Sequence, residues 1–285
     1  MRLNNLVLSL VCSVSLWADW KIIDTTDSHK LTKDALIQRI GENRNILLGE
    51  QHRNTEHHRL RGALIASFPS DMTVVVAEHL DFGRTILWKE LLINDLKAGG
   101  FSDKGWKWPI HQDLFEPLKT HSIELIGGNI SRNKAKDVVL KGPDILEPSI
   151  KSIYDATPYG ERESAILIED IRVGHCNTLP ENMLKPMASA QHAKDSAMSL
   201  TLHQSKKPIR FLIAGNGHVR KDYGVPVILK KLYPEEKTLS IGFIDESDYR
   251  DDSLSEYRNE YDVIVVAGTS PEEDHCVALK SNIAK

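Results

Sequence analysis

Asn45-Ile46-Leu47-Leu48-Gly49-Glu50-Gln51-His52 joins a short, unbroken apolar run to a polar tetrapeptide, and the same join recurs three times along the chain. Val74-Val75-Val76-Ala77 leads into Glu78-His79, Leu125-Ile126 into Gly127-Gly128-Asn129-Ile130-Ser131-Arg132, and Leu212-Ile213-Ala214 into Gly215-Asn216-Gly217-His218. Runs that are continuous rather than alternating belong to strands buried on both faces, which is the habit of a parallel sheet. Strands are therefore read at 45–48, 73–77, 123–126 and 209–214, with a fifth at 239–244 and a sixth at 263–267. Asn54 or Thr55 can cap a helix whose Leu60, Leu64 and Ile65 share a face, so the first two strands and this helix have the size of a βαβ unit. From Lys134 to about Gln204 the pattern is helical, with Pro143, Pro148, Pro158, Pro180 and Pro186 as breaks. The expected fold class is α/β: a mainly parallel sheet flanked by helices, with an inserted helical subdomain at about 134–204.

The carboxyl ends of an open parallel sheet lie on one edge, and ligands bind in the crevice outside it. Glu50, His52, Glu78, Asn129, Arg132 and His218 are scattered in sequence, yet this topology brings them together. The glycines at these joins let the backbone turn sharply and approach a ligand. Carboxylate with neutral imidazole is a ligand set for a divalent first-row metal and also provides acid–base groups. Glu50, His52, Glu78 and His218 are thus the candidates for catalysis or metal binding, with His57, His58 and His79 behind them. Gly215-x-Gly217 lacks the third glycine of a dinucleotide loop, and no HExxH, GxSxG or CxxC pattern occurs.

The 285 residues, 41% hydrophobic and 27% charged, fit an ordinary globular chain and exclude collagen, coiled coil or disorder as whole-chain readings. With 36 basic against 40 acidic side chains the net charge is -4, so the basic field needed for nucleic acid is missing. Arg2, an apolar run from Leu6 to Trp17 and then Ala18 read as a secretory signal peptide over 1–18, followed by a single domain over 19–285. The expected location is outside the cytoplasm: periplasmic, or attached to the outer membrane if the chain is a lipoprotein. Val11 before Cys12 is larger than a lipoprotein signal prefers, which favours the soluble form. After cleavage Cys176 and Cys276 remain, and they can pair in an oxidising compartment or stay as two buried thiols.

Gly49-Glu50-x-His52, His57-His58, Glu78 and Gly215-Asn216-Gly217-His218-Val219-Arg220 resemble the ChaN-like proteins. That family of haem-binding uptake proteins shares a superfamily with the erythromycin esterases and the Tiki proteases. Asn129-Ile130-Ser131-Arg132, His175-Cys176-Asn177-Thr178-Leu179-Pro180, Gln191 with Asp195 and Met198, and Gly224-Val225-Pro226 match in the same order, over roughly 42–245. The resemblance implies an exported haem-binding protein of iron acquisition. It also implies a homodimer pairing two haems face to face, a tyrosine on each iron, and an outer-membrane haem or iron receptor as partner. The insertion holds Tyr154 and Tyr159, and tyrosinate is a hard anionic ligand suited to ferric haem. Tyr154 is preferred, since Ile150, Ile153 and Tyr154 form one apolar helical face; Arg162 or Lys151 would meet a propionate.

Other features are read as structural. Met187, Gln191, Asp195 and Met198 form a single helix stripe and are expected to pack. His175-Cys176 is not a metal pair, because adjacent side chains diverge on a strand or a helix. The acidic run at 245–252 is expected to be a solvated loop. The competing functional reading is a metal-dependent hydrolase of esterase or protease type using Glu50, His52, Glu78 and His218, similar positions to those of the esterase and protease branches.

Overall fold

Seven strands form one sheet among the described residues of the computed structural model, which are 20–271 and Cys276. The segment read as a leader, 1–18, lies outside them. In chain order the strands are β1 (Lys21–Asp24), β2 (Asn45–Leu48), β3 (Thr73–Asp81), β4 (Glu124–Asn129), β5 (Ile209–Ile213), β6 (Thr238–Ile244) and β7 (Val263–Val266). Across the sheet they run β1-β7-β6-β2-β5-β3-β4, every neighbouring pair parallel except β1 and β7. All four residues of β2 and of β7 are buried, and this two-sided burial is why those runs are apolar throughout. β1 escapes the continuous-run reading because its few residues open on the exposed Lys21.

One face of the sheet is covered by α1 (Lys33–Gly41), α2 (Thr55–Ile65), α3 (Leu92–Ala98) and α4 (Gln112–Thr120), which pack Leu36, Leu60, Leu64 and Phe115 into one core with Ile46, Val75 and Phe211. The Asn54 side chain caps α2 by accepting from the backbone N–H groups of Glu56 and His57. Between β4 and β5 comes the insertion: α5 (Arg132–Lys141), α6 (Pro148–Ala156), α7 (Glu161–Gly174) and α8 (Glu181–Gln204). Two further helices follow, α9 (Val225–Leu232) and α10 (Leu254–Glu260). Met198 and Leu202 of α8 join Val225 and Leu229 of α9 over the second face, against Leu47, Val76 and Leu212. A separate cluster of Val138, Ile150, Ala193 and Ala197 ties α5 and α6 to α8.

Two expectations change and one open choice closes. Pro186 lies inside the 24-residue α8 and does not interrupt it. Asp245 is buried rather than solvated, with its carboxylate accepting from the backbone N–H and hydroxyl of Ser247, the N–H of Ser270 and the Asn54 amide. Cys176 and Cys276 are joined by a disulfide, Cα–Cα 5.5 Å, which resolves the choice between a pair and two thiols. Among the described residues no helix is long and apolar enough to cross a membrane.

Candidate functional site

The strand order sets β2, β5 and β3 side by side, so the residues after β2 and β5 meet those near the end of β3. Glu50 and His52 follow β2, and His218 lies in a 3-10 turn, Asn216–Val219, after β5. β3 is longer than the reading at 73–77: it continues to Asp81, with its register against β4 shifting between Ala77 and Asp81, and Glu78 and His79 lie in that irregular stretch. A Cβ on Gly49 would fall 2.0 Å from Asn216 Oδ1, so only glycine lets this turn close. Asn216 in turn exchanges hydrogen bonds with the backbone of Phe243, fixing the β5 turn to β6.

Two buried ionic groups result. In the first, the Glu50 carboxylate is enclosed by Arg61 and His58 of α2, both fully buried, and by His52. His58 Nδ1 is 2.9 Å from Glu50 Oε2, while the Nε2 atoms of His79 and His111 stand 3.9 Å from Oε1, beyond hydrogen-bonding distance. Burial alone would raise the Glu50 pKa, but the Arg61 guanidinium, with the His52 imidazole beside it, holds it well below the usual carboxylate range. The His52 ring is half exposed; desolvation lowers its pKa, yet the Glu50 carboxylate at Nδ1 wins and raises it. Burial pushes His79 well down and His111 down to about 4, so both are neutral.

The second group is a relay. Asp195 Oδ1 lies 2.5 Å from His218 Nδ1, and His218 Nε2 lies 3.2 Å from Glu78 Oε1. Glu78 Oε2 also accepts from the Gly215 N–H at 2.9 Å. On the far side the Tyr159 hydroxyl donates to Asp195 Oδ2 at 3.0 Å and accepts from the Gly224 N–H. Burial would lower the His218 pKa, but two flanking carboxylates raise it to about 9, making it an imidazolium at neutral pH. Burial raises Asp195, whereas His218 overcomes burial to hold Glu78 well below its ordinary value.

Outside the strand ends opens a cavity of about 580 Å³. His52, Glu78, Asn129 and Arg132 line it, as the topology argument requires, while Glu50 and His218 sit behind its wall. Glu50, His52, Glu78 and His218 therefore meet as two carboxylate–imidazole pairs. Among the described residues the buried donors that converge within 4.8 Å are those of Glu50, His58 and His111. The Arg61 guanidinium bonds both Glu50 Oε2 and His58 Nδ1, the latter at 3.0 Å. A fixed cation thus already holds the place that a divalent ion would take, and the trio does not fit one. His57 faces away, its Nδ1 accepting from the Gln51 N–H, with its pKa pushed to about 4 by burial.

The insertion places Tyr154 and Tyr159 on either side of the buried His192, with ring centroids 4.4 Å and 4.3 Å from its imidazole. The Tyr154 hydroxyl shares a hydrogen bond with Ser189 at 2.9 Å. Neither tyrosine lines the cavity.

The family model for haem-binding uptake proteins of the Tiki superfamily, ChaN, matches residues 36–229. The chain belongs to this family. Among solved structures, this ChaN family member is similar to ChaN of Campylobacter jejuni, described with cofacial haem binding: 18% identity, 87% of this chain and 96% of that chain covered, TM-score 0.68. An erythromycin esterase mutant in its open conformation aligns at 12% identity over 90% of this chain and 99% of that one, TM-score 0.48. No curated protein matches the sequence. The family's description is one of haem binding and uptake, so the chain is placed at that level among binding proteins rather than enzymes.

Several site residues of this ChaN-like chain escape sequence reading. Arg61 and His111 carry no local signal, since a helix interior and a loop give no hint that they turn onto Glu50. Gln191 and Asp195 were expected to pack with the Met187–Met198 stripe. Met198 does so, but Asp195 accepts from His218 and the Gln191 amide stands 3.1 Å from the same ring. The i, i+4 spacing was real, and the signal was the two polar members of an otherwise apolar stripe.

Proposed function

We propose that this protein is an exported haem carrier of iron acquisition that ligates haem iron through Tyr154, with two copies meeting across paired haems. The observation that carries the tyrosine assignment is the different bonding of the two hydroxyls. Tyr159 is committed on both sides, to Asp195 and to the Gly224 N–H, and burial next to that carboxylate pushes its pKa well above the ordinary value. Ionising it would set a phenolate against Asp195. Tyr154 faces only the neutral Ser189 hydroxyl, from which it can turn to an iron. Lys151 is already paired with Asp144 and Asp155, which makes the exposed Arg162 the better partner for a propionate. Export through 1–18 would place the carrier in the periplasm, or on the outer membrane if Cys12 is lipidated, where it can exchange haem with an outer-membrane receptor. The face-to-face arrangement described for the Campylobacter protein supports a homodimer here.

Titration of the purified protein with haem tests this. The expected tyrosinate-type visible spectrum is lost in Tyr154→Phe, with affinity reduced about tenfold or more, roughly 1.4 kcal/mol, and it is retained in Tyr159→Phe. Sedimentation should show haem-dependent dimers. Loss in Tyr159→Phe alone would reverse the assignment, and an unchanged spectrum in both variants would remove tyrosine ligation.

A second reading, hydrolysis of an ester or amide, is favoured by one observation: His52 is held through Nδ1 by Glu50 and opens on the cavity, the arrangement of a general base. His218, already protonated, would serve as a charged donor behind Glu78. Because Arg61 compensates Glu50, this reading runs without a divalent ion. Turnover that disappears in His52→Ala while haem binding persists would support it.

A further inference from the structure

We propose that the cavity at the strand ends is a binding site for a compact organic anion, a carboxylate or phosphate monoester with a flat apolar body. The walls carry Arg53, Lys107, Arg132 and Lys194 against Glu78 and Asp81, although the whole chain is net -4. The His218 imidazolium is shared between Glu78 and Asp195, which leaves that trio one negative charge, and with Asp81 this is still outnumbered by Lys107, Arg132 and Lys194 on the walls. The crevice is thus locally positive on a negative protein, which concentrates anions.

The deep wall needs a polar partner. His79 and His111 are 3% and 1% exposed and both line the cavity, yet neither ring nitrogen of either one has a hydrogen-bond partner, and Asn129 Oδ1 shares that state. Buried polar atoms are almost always paired; the Nε2 atoms of both rings face Glu50 Oε1 at 3.9 Å, and a turn of either ring towards the cavity would offer its N–H to a ligand oxygen. The Trp106 indole, 4.3 Å from the His79 ring and 5.0 Å from that of His52, supplies the flat apolar surface beside Ile110. A volume of about 580 Å³ suits a small molecule of this kind. The proposal is independent of the haem reading, because neither tyrosine is in these walls. It also stands without the hydrolase reading, since binding needs no turnover.

Isothermal titration of the full mature chain with 4-nitrobenzoate, 4-nitrophenyl phosphate and the neutral 4-nitrobenzamide tests it. At least one anion should bind about tenfold or more tighter than the amide, and which anion wins separates carboxylate from phosphate recognition. The double variant Arg132→Gln, Lys194→Gln should weaken that anion about tenfold and leave the haem spectrum unchanged. Arg132 is exposed and Lys194 partly so, and this keeps the variant clear of the core. Equal binding of the amide, failure of both anions to bind, or an unchanged affinity in the double variant would each overturn the proposal. Binding without release of 4-nitrophenol from its phosphate or acetate ester would leave it standing and count against hydrolysis.

Discussion

Replacing Arg61 with Ala is expected to destabilise the protein by about 3–5 kcal/mol, the usual cost of leaving one partner of a buried ion pair unpaired. Both side chains are fully enclosed, and the guanidinium reaches the carboxylate, the His58 ring and the backbone of α2. The surrounding imidazoles can return only part of what is lost. Without Arg61 the Glu50 carboxyl moves upward in pKa, so the folded variant takes up a proton more readily than its unfolded chain. Its deficit should therefore be larger at neutral pH than in acid. Urea unfolding of Arg61→Ala, Glu50→Gln and the double variant gives the coupling directly. A coupling of 2 kcal/mol or more is expected, on the order of that for close buried charge pairs, whereas additive losses would mean that the two groups are not a pair.

The same residues show what sequence can and cannot reveal here. β2, β5 and β7 were legible because burial on both faces makes a strand apolar throughout, and the polar joins after them were legible because ligand crevices form there. β3 was cut short at Ala77, since Glu78 and His79 look like the start of a loop when only hydropathy is read. They are strand residues whose polarity is tolerated because Glu78 finds His218 and Gly215, while His79 meets the cavity. His111 and His192, which follow no apolar run, stand close to the candidate sites. One stands above Glu50 and the other between the tyrosines, each delivered by tertiary packing rather than by a place after an apolar run. The Asp195 carboxylate joins the two regions of interest, because it touches Tyr159 on the insertion side and His218 on the crevice side.

The His218 relay should write itself into the pH dependence of stability. An imidazole in the unfolded chain titrates near 6.5, while in the fold it is raised to about 9. Between these values the folded protein holds a proton that the unfolded chain has released. The stabilisation is therefore complete below about pH 6.5 and is lost as the pH rises through about 9. A gap of this size corresponds to about 3 kcal/mol. The groups facing the ring are Glu78 from β3 and Asp195 and Gln191 from α8, with Lys194 near enough to lower both carboxyls. Glu260, raised to about 7 by burial, completes its titration below the upper half of this window. Burial holds the phenols of Tyr159, Tyr223 and Tyr261 above their ordinary value, so they add to the fall near pH 9.5 in any variant, and the difference between native protein and His218→Gln from pH 7.5 to 9.5 reads His218. The native protein should lose about 2 kcal/mol more over that range than His218→Gln, which should be the less stable of the two at pH 7.5. An equal fall in the variant would place the titrating group elsewhere and return His218 to the role of a neutral hydrogen-bonding residue between Glu78 and Asp195.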